Sequence, residues 1–222
     1  MPDFYAKAQQ QNVTRNADGN QVQVRALRDG ALIVVPWYQA LVMEGRVFQA
    51  IGPSPLDATG LTLVALASYA DTVSSIFADI PDGTAFLPLE IHGSFLATGG
   101  AVSHQIGFIS DTLNGTGGTE TAVTPLNLRR DSPVSSGATA AHTASGETDK
   151  VTGAEVILFH RSAGIDIDSV SVEPSVSWSA VRAGVTPIGL DAGSINFTMT
   201  VTTSSTGFVQ IAWAELSESV FV

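Results

Sequence analysis

Residues 194–215 read S-I-N-F-T-M-T-V-T, then T-S-S-T-G, then F-V-Q-I-A-W-A-E. Ile195, Phe197, Met199 and Val201 alternate with Asn196, Thr198, Thr200 and Thr202. A period of two puts the apolar side chains on one face and the polar ones on the other, as a half-buried strand requires. On a helix the same residues would be scattered around the circumference. The returning run carries the β-formers Phe208, Val209, Ile211 and Trp213 with little polar alternation, so it is expected to be buried more completely. The stretch is therefore expected to be the closing hairpin of an antiparallel sheet.

The same pattern extends backwards. Ala154 to His160 (A-E-V-I-L-F-H) is strongly β and expected to be central, and Ile165, Ile167, Val170 and Val172 continue it in shorter pieces. Residues 173–193 look irregular. Ala138 to Ala144 is a weak, alanine-rich strand, Ala122 to Leu128 another, and Ser132 to Gly137 a turn between them. Residues 111–118 and 147–153 read as exposed loops. Val102 to Ser110 and Ala85 to Leu96 are strands, with Pro88 a local irregularity in the second. Residues 61–80 fit both periods. The β-branched run before Pro81-Asp82-Gly83 decides for strand, hairpin, strand: Pro sets φ, Asp bonds the turn backbone, and Gly supplies a positive φ. Arg46 to Ile51 and Ala31 to Pro36 are shorter strands, and Val22, Val24 and Ala26 mark one more. About ten short strands with turn signals every 8–12 residues read as a sandwich or barrel. No helix is expected, and no repeat of fixed period appears.

Residues 1–20 are polar and unpatterned and are expected to form an extended N-terminal arm. Asn16-Ala17-Asp18-Gly19-Asn20 resembles a calcium loop, but its glycine and distal acid are misplaced, which leaves a turn. Residues 21–56 form an N-terminal β section that ends in the break Gly52-Pro53-Ser54-Pro55 and can join the main sandwich. Residues 57–222 form the sandwich itself.

Composition excludes several classes of function. With 21 Asp+Glu against 10 Lys+Arg the formal charge is −11, so the basic footprint that nucleic acid or anionic lipid demands is missing. Cysteine is absent, which removes disulfides and thiolate metal sites. No run of about 18 apolar residues occurs. The first dozen residues lack the basic and apolar regions of a signal peptide, so synthesis in the cytoplasm without secretion by that route is expected. Only 14% of residues are charged, with Ser, Thr, Ala and Gly in their place. That composition suits either burial in an assembly or a Ser/Thr-covered outer sheet face.

The run Ile80-Pro81-Asp82-Gly83-Thr84-Ala85-Phe86-Leu87-Pro88-Leu89-Glu90-Ile91 resembles a hairpin of the single jelly-roll head proteins of tailed bacteriophages. The likeness continues through Gly115-Thr116-Gly117-Gly118-Thr119, Thr124-Pro125-Leu126-Asn127-Leu128, Asp131-Ser132-Pro133 and the ending at 207–215. Together these span residues 70–215. The resemblance implies an all-β, antiparallel, jelly-roll-like β-sandwich of the TNF-like kind. It also implies a homotrimer on the capsid surface of a virion, with the major capsid protein as partner, acting as a decoration (cement) protein or a spike.

A search for chemistry yields no catalytic, metal or cofactor site. His92, His104, His142 and His160 form no local metal motif, and His92 and His160 sit in apolar strands as hydrogen-bonded sheet histidines. No G-x-S-x-G, P-loop or dinucleotide fingerprint occurs. Asp166 and Asp168 share one side of a strand, and Glu90 and Glu155 lie in strong strands; a solvated face is the simpler account of the Asp pair. Trp37, Tyr38, Trp178 and Trp213 would make a sugar platform if they converged, and Trp213 is expected in the core. The expected function is structural, without enzyme activity; the alternative is a receptor- or carbohydrate-binding module of a spike or fibre.

Overall fold

The computed structural model describes residues 36–53, 61–63, 76–96, 100–111, 120–143, 156–167, 175–184, 193–201 and 205–220. A helix α1 (Trp37–Met43) precedes strands β1 (Val47–Gly52), β2 (Leu61–Leu63), β3 (Ile76–Ile80), β4 (Thr84–Leu96) and β5 (Gly100–Asp111). Then come β6 (Glu120–Val123), β7 (Leu126–Asn127), β8 (Thr139–Thr143), β9 (Val156–Ile167) and β10 (Ser175–Ser179). A helical turn α2 (Ala180–Ala183), β11 (Gly193–Val201), β12 (Ser205–Ser217) and a 3-10 turn, Glu218–Val220, complete the order.

The strands form two six-stranded antiparallel sheets. One runs β10-β4-β12-β1-β7 with β2 also on β12; the other runs β6-β8-β3-β11-β5-β9. Eight of these strands pair as a long hairpin folded on itself. β1 pairs with β12, β3 with β11, β4 with β10 and β5 with β9, first with last and so inward. The contacts β12–β4 and β11–β5 then join the pairs into two four-stranded layers, β1-β12-β4-β10 and β3-β11-β5-β9. That nested order is a jelly roll. The chain is an all-β antiparallel sandwich.

Two expected hairpins are corrected. The strands of residues 194–215 do not pair: β11 lies between β3 and β5 in one sheet, while β12 lies between β4 and β1 in the other. The turn at Pro81-Asp82-Gly83 is present, with Gly83 at φ +75°, yet it also crosses between sheets, from β3 to β4. Alternation specifies a strand's buried face, but it does not say whether the next strand meets it edge to edge or face to face. In both cases the second strand crosses the core and presents its apolar row from the other side.

The core shows this directly. Phe48 and Ala50 of β1, Phe86 and Ile91 of β4, and Val209, Ile211 and Trp213 of β12 meet Ile76, Ala78 and Ile80 of β3, Ala140 of β8 and Ile195 of β11. Phe86 stacks on Trp213 with ring centroids 5.4 Å apart, and Phe48 lies tilted against the same indole at 6.3 Å. These rings fill the end of the sandwich that carries the site described below.

β12 is buried on both faces. Its second row, with Ala214 buried and Leu216 partly so, packs with Val47, Ala85, Leu87 and Leu89 under Leu41 and Val42 of α1. The irregularity at Pro88 is a β-bulge. Ala212 faces Glu90 but Trp213 faces Pro88, so Leu89 is the extra residue. The bulge reverses the alternation of β4. Phe86 and Ile91 both point inward, and Glu90 is turned to solvent instead of the core.

Three other expectations change. α1 was not anticipated, although its stop signal is in the sequence: Gly45 at φ +71° donates to Val42 O, and Arg46 N donates to Leu41 O at 2.9 Å, a Schellman ending. Residues 156–160 belong to β9 at the margin of its sheet, not its centre. The break at Gly52-Pro53 interrupts a strand row. β1 ends opposite Val209, and β2 resumes on the same neighbour with Leu61 opposite Gly207. Residues 47–52 are thus part of the sandwich. The expected arm (1–20), residues 22–35 of the expected strands and the loops at 112–118 and 147–153 lie outside the described residues, and Pro36 precedes α1 instead of ending a strand.

Between the fourth and fifth jelly-roll strands the chain inserts residues 120–143. β8 extends the second sheet beyond β3 and β6 pairs on β8, while β7 extends the first sheet beyond β1. The insertion thereby spans the β1 margin of one sheet and the β3 margin of the other.

Candidate functional site

The most developed polar arrangement among the described residues joins this insertion to the end of β12. Val209, Ile211 and Trp213 point inward, and the next residue in that row is Glu215, only 9% exposed. A carboxylate at the end of an apolar row must be hydrogen-bonded to be tolerated. Its Oε1 accepts from Trp213 Nε1 at 2.8 Å, from Ala138 N at 3.3 Å and from the Ser136 hydroxyl, and its Oε2 accepts from Gly137 N at 2.8 Å. Ser136 Oγ also lies 2.7 Å from the Ala138 carbonyl oxygen. Four donors thus converge on one carboxylate, three of them from residues 136–138. The arrangement is a latch that fixes the insertion to the sandwich.

A second set of bonds holds the insertion to α1. Asn127 Nδ2 donates to Gly45 O at 2.8 Å and to Val134 O at 3.0 Å, while Asn127 Oδ1 accepts from Arg129 N. Arg129 Nη1 donates to Met43 O at 2.8 Å, placing a cation at the carbonyl end of the helix. Arg129 Nε also pairs with Asp131 at 3.0 Å. The Arg129 guanidinium holds the fully exposed Asp131 carboxyl below its ordinary range, first through that hydrogen bond and then through its charge.

Between these two sets lies an open cleft of about 180 Å³, lined by Arg46, Phe48, Thr84, Val134, Ser135, Glu215 and Leu216. Arg46 approaches Glu44 only at 4.0 Å. The cleft therefore presents one loosely paired guanidinium beside a carboxylate already engaged by four donors. Such a wall can receive an acidic or hydroxyl-bearing side chain.

The residues singled out in the sequence do not gather here. Glu90 is exposed on β4, opposite Ser179 and Ala212, whereas Asp166 lies on β9 of the other sheet, opposite Ala101. Asp168 and Glu155 fall outside the described residues. His92 is half-buried on β4, with Gln210 and Ser177 as its strand neighbours. His104 pairs in register with Ala163, and His160 with Gly107. The His142 ring packs near Gly52, and its Nδ1 is buried with no hydrogen-bond partner. Among the described residues no three His, Asp or Glu side chains come together. Trp213 is fully buried and Trp178 packs partly against the core, so no four-ring platform forms. Trp37 is 48% exposed and meets Tyr38 edge-on at 6.2 Å.

Sequence reasoning missed Glu215 as a site residue. The one available signal was a carboxylate continuing the inward row of a strand otherwise built of Val, Ile and Trp. Comparison of the chain with models of known protein families and with curated proteins returned no match.

Proposed function

We propose that the chain is a virion structural protein, a decoration (cement) protein that binds and reinforces the head of a tailed bacteriophage. In this reading it assembles as a homotrimer on the capsid surface, with the major capsid protein as partner and no catalytic role. The observation that carries it is the nested eight-strand order, an architecture shared by viral capsid and lectin domains. The insertion clamped across one side of the sandwich supports a mechanical role, since Asn127, Arg129 and residues 136–138 are engaged in holding structure. The low-charge composition suits burial in an assembly.

The test is sedimentation of the purified full chain with heads of the encoding virus stripped of decoration. Saturable co-sedimentation, with heads that then resist heat or chelation better, is the expected result. The carbohydrate-binding alternative rests on the exposed Trp37 beside Tyr38. A glycan array with specific hits, together with chain that stays in the supernatant of the head experiment, would favour that alternative.

A further inference from the structure

The turn between β3 and β4 sets a carboxylate beside an idle backbone N–H. Pro81, Asp82, Gly83 and Thr84 form one tight turn, closed by Thr84 N donating to Pro81 O at 3.3 Å. Asp82 and Gly83 are both exposed at its tip. Among the described residues neither the Asp82 carboxylate nor Gly83 N has a hydrogen-bond partner, so the bond expected from Asp82 to the turn backbone is not made there. No atom lies within 4 Å of where a Cβ on Gly83 would stand, which leaves that side of the turn open. Asp131, the other aspartate exposed among the described residues, differs on each count. Arg129 holds its carboxylate, the next residue carries a side chain, and Ser132 N donates to Arg129 O at 3.0 Å.

We propose that Asp82-Gly83 is a site of spontaneous covalent modification, where the aspartate isomerises to isoaspartate in the folded chain. Gly83 N attacks the carboxyl carbon of the protonated Asp82 side chain, and the missing Cβ on Gly83 leaves the approach unhindered. The new C–N bond closes a five-membered succinimide. The nitrogen's proton and the carboxyl hydroxyl depart together as water. A second water then opens the ring. Where it adds at the main-chain carbonyl of Asp82, the backbone afterwards runs through the former side chain and the old main-chain carbonyl becomes a free carboxylate. One water is lost and one regained, so the mass is unchanged and no co-reactant is consumed. The position gives the change a structural consequence. The turn carries the chain from one sheet to the other. Gly83 O accepts from Glu218 N at 3.0 Å, which ties the tip to the 3-10 turn after β12. Pro81 and Thr84 flank Gly137, whose N–H donates to Glu215. One extra backbone carbon lengthens a turn already fitted to these partners. The isomerised chain is expected to lose the Thr84–Pro81 bond and to loosen the Glu215 latch. The reaction needs no partner and is independent of the assembly reading.

The experiment ages the purified full chain for weeks in neutral buffer, well below its melting point, beside the variant Asp82→Glu. Peptide mapping by mass spectrometry, with isoaspartate located by enzymatic methylation, reads each site separately. It thereby distinguishes Asp82 from the Asp-Gly and Asn-Gly pairs at 18–19, 29–30 and 114–115. The wild-type peptide holding residue 82 is expected to split into two species of equal mass, the methyl-accepting one growing week by week, while the peptide holding Asp131 stays single. Asp82→Glu keeps the charge but would have to close a six-membered ring, so its peptide is expected to stay single. Aged wild type is expected to melt a few degrees below the equally aged variant. A residue-82 peptide that stays single in the folded chain overturns the proposal, and most sharply if the same chain isomerises there in denaturant, since the fold would then shield the site. A second species that persists in Asp82→Glu overturns it too. Equal melting of the two aged chains, with isoaspartate present at 82, would refute the structural consequence.

Discussion

Glu215 shows how a single residue can hold an added segment onto a fold. Its carboxylate takes donors from Trp213, Ser136, Gly137 and Ala138. Glu215→Ala would leave buried donors unsatisfied and is expected to cost about 3 kcal/mol of stability, read as a lowered midpoint in chemical unfolding. Glu215→Gln keeps the shape but sets an amide N–H₂ against one of the donors, so about half that loss is expected. Gly45 is constrained twice over: its φ is +71°, and a Cβ there would collide with the Ser132 hydroxyl. Gly45→Ala should destabilise by about 2 kcal/mol and loosen α1, seen as a change in Trp fluorescence before global melting. Asp131 supplies a pH marker. Its folded carboxyl is held low by Arg129, so the pair's stabilisation is present above the ordinary Asp range and is lost as pH falls through the lowered value. Carboxyl NMR should place Asp131 below its ordinary value and move it back towards that value in Arg129→Gln. An unchanged titration would contradict the pairing.

At the scale of elements, the sequence was most informative about strands and least about their partners. The period-two run at 195–202, the strands at 85–96 and 208–215, the turn at Pro81-Asp82-Gly83 and the irregularity at Pro88 were all legible, because each depends on local geometry. Pairing was not legible. β11 and β12 are adjacent in sequence with matched apolar rows, yet they face each other across the core. An apolar row is satisfied equally by a neighbour beside it or by a sheet opposite it. α1 escaped notice because its seven residues are too few to establish a helical period. Glu215 escaped because two of its four donors are backbone N–H groups of 137–138, which no side-chain pattern announces, and a third comes from Ser136, 79 residues away in sequence. The bulge in β4 is testable at this scale. Deleting Leu89, the extra residue, would restore strict alternation with Glu90 still outward and Ile91 still inward, at the loss of one apolar side chain from the second row. The deletion is expected to keep cooperative unfolding with stability lowered by about 2 kcal/mol, and loss of cooperative unfolding would refute the assigned register.

For the whole molecule, the jelly roll supplies a closed pair of sheets, and the insertion adds to both along one side. Its bonds to β12 and to α1 cross-link that side, where most of the large apolar side chains exposed among the described residues also lie. A rigid face with exposed apolar side chains is suited to binding a regular partner surface many times over. That is the task of a protein that coats a shell, and it differs from the task of a receptor-binding tip, which needs few copies. The most direct measurement of the proposed role is therefore the copy number of this chain relative to the major capsid protein, by quantitative mass spectrometry of purified virions of the phage proposed to carry it. The decoration account predicts a simple whole-number ratio that holds from preparation to preparation. A handful of copies per virion, or none, would contradict it.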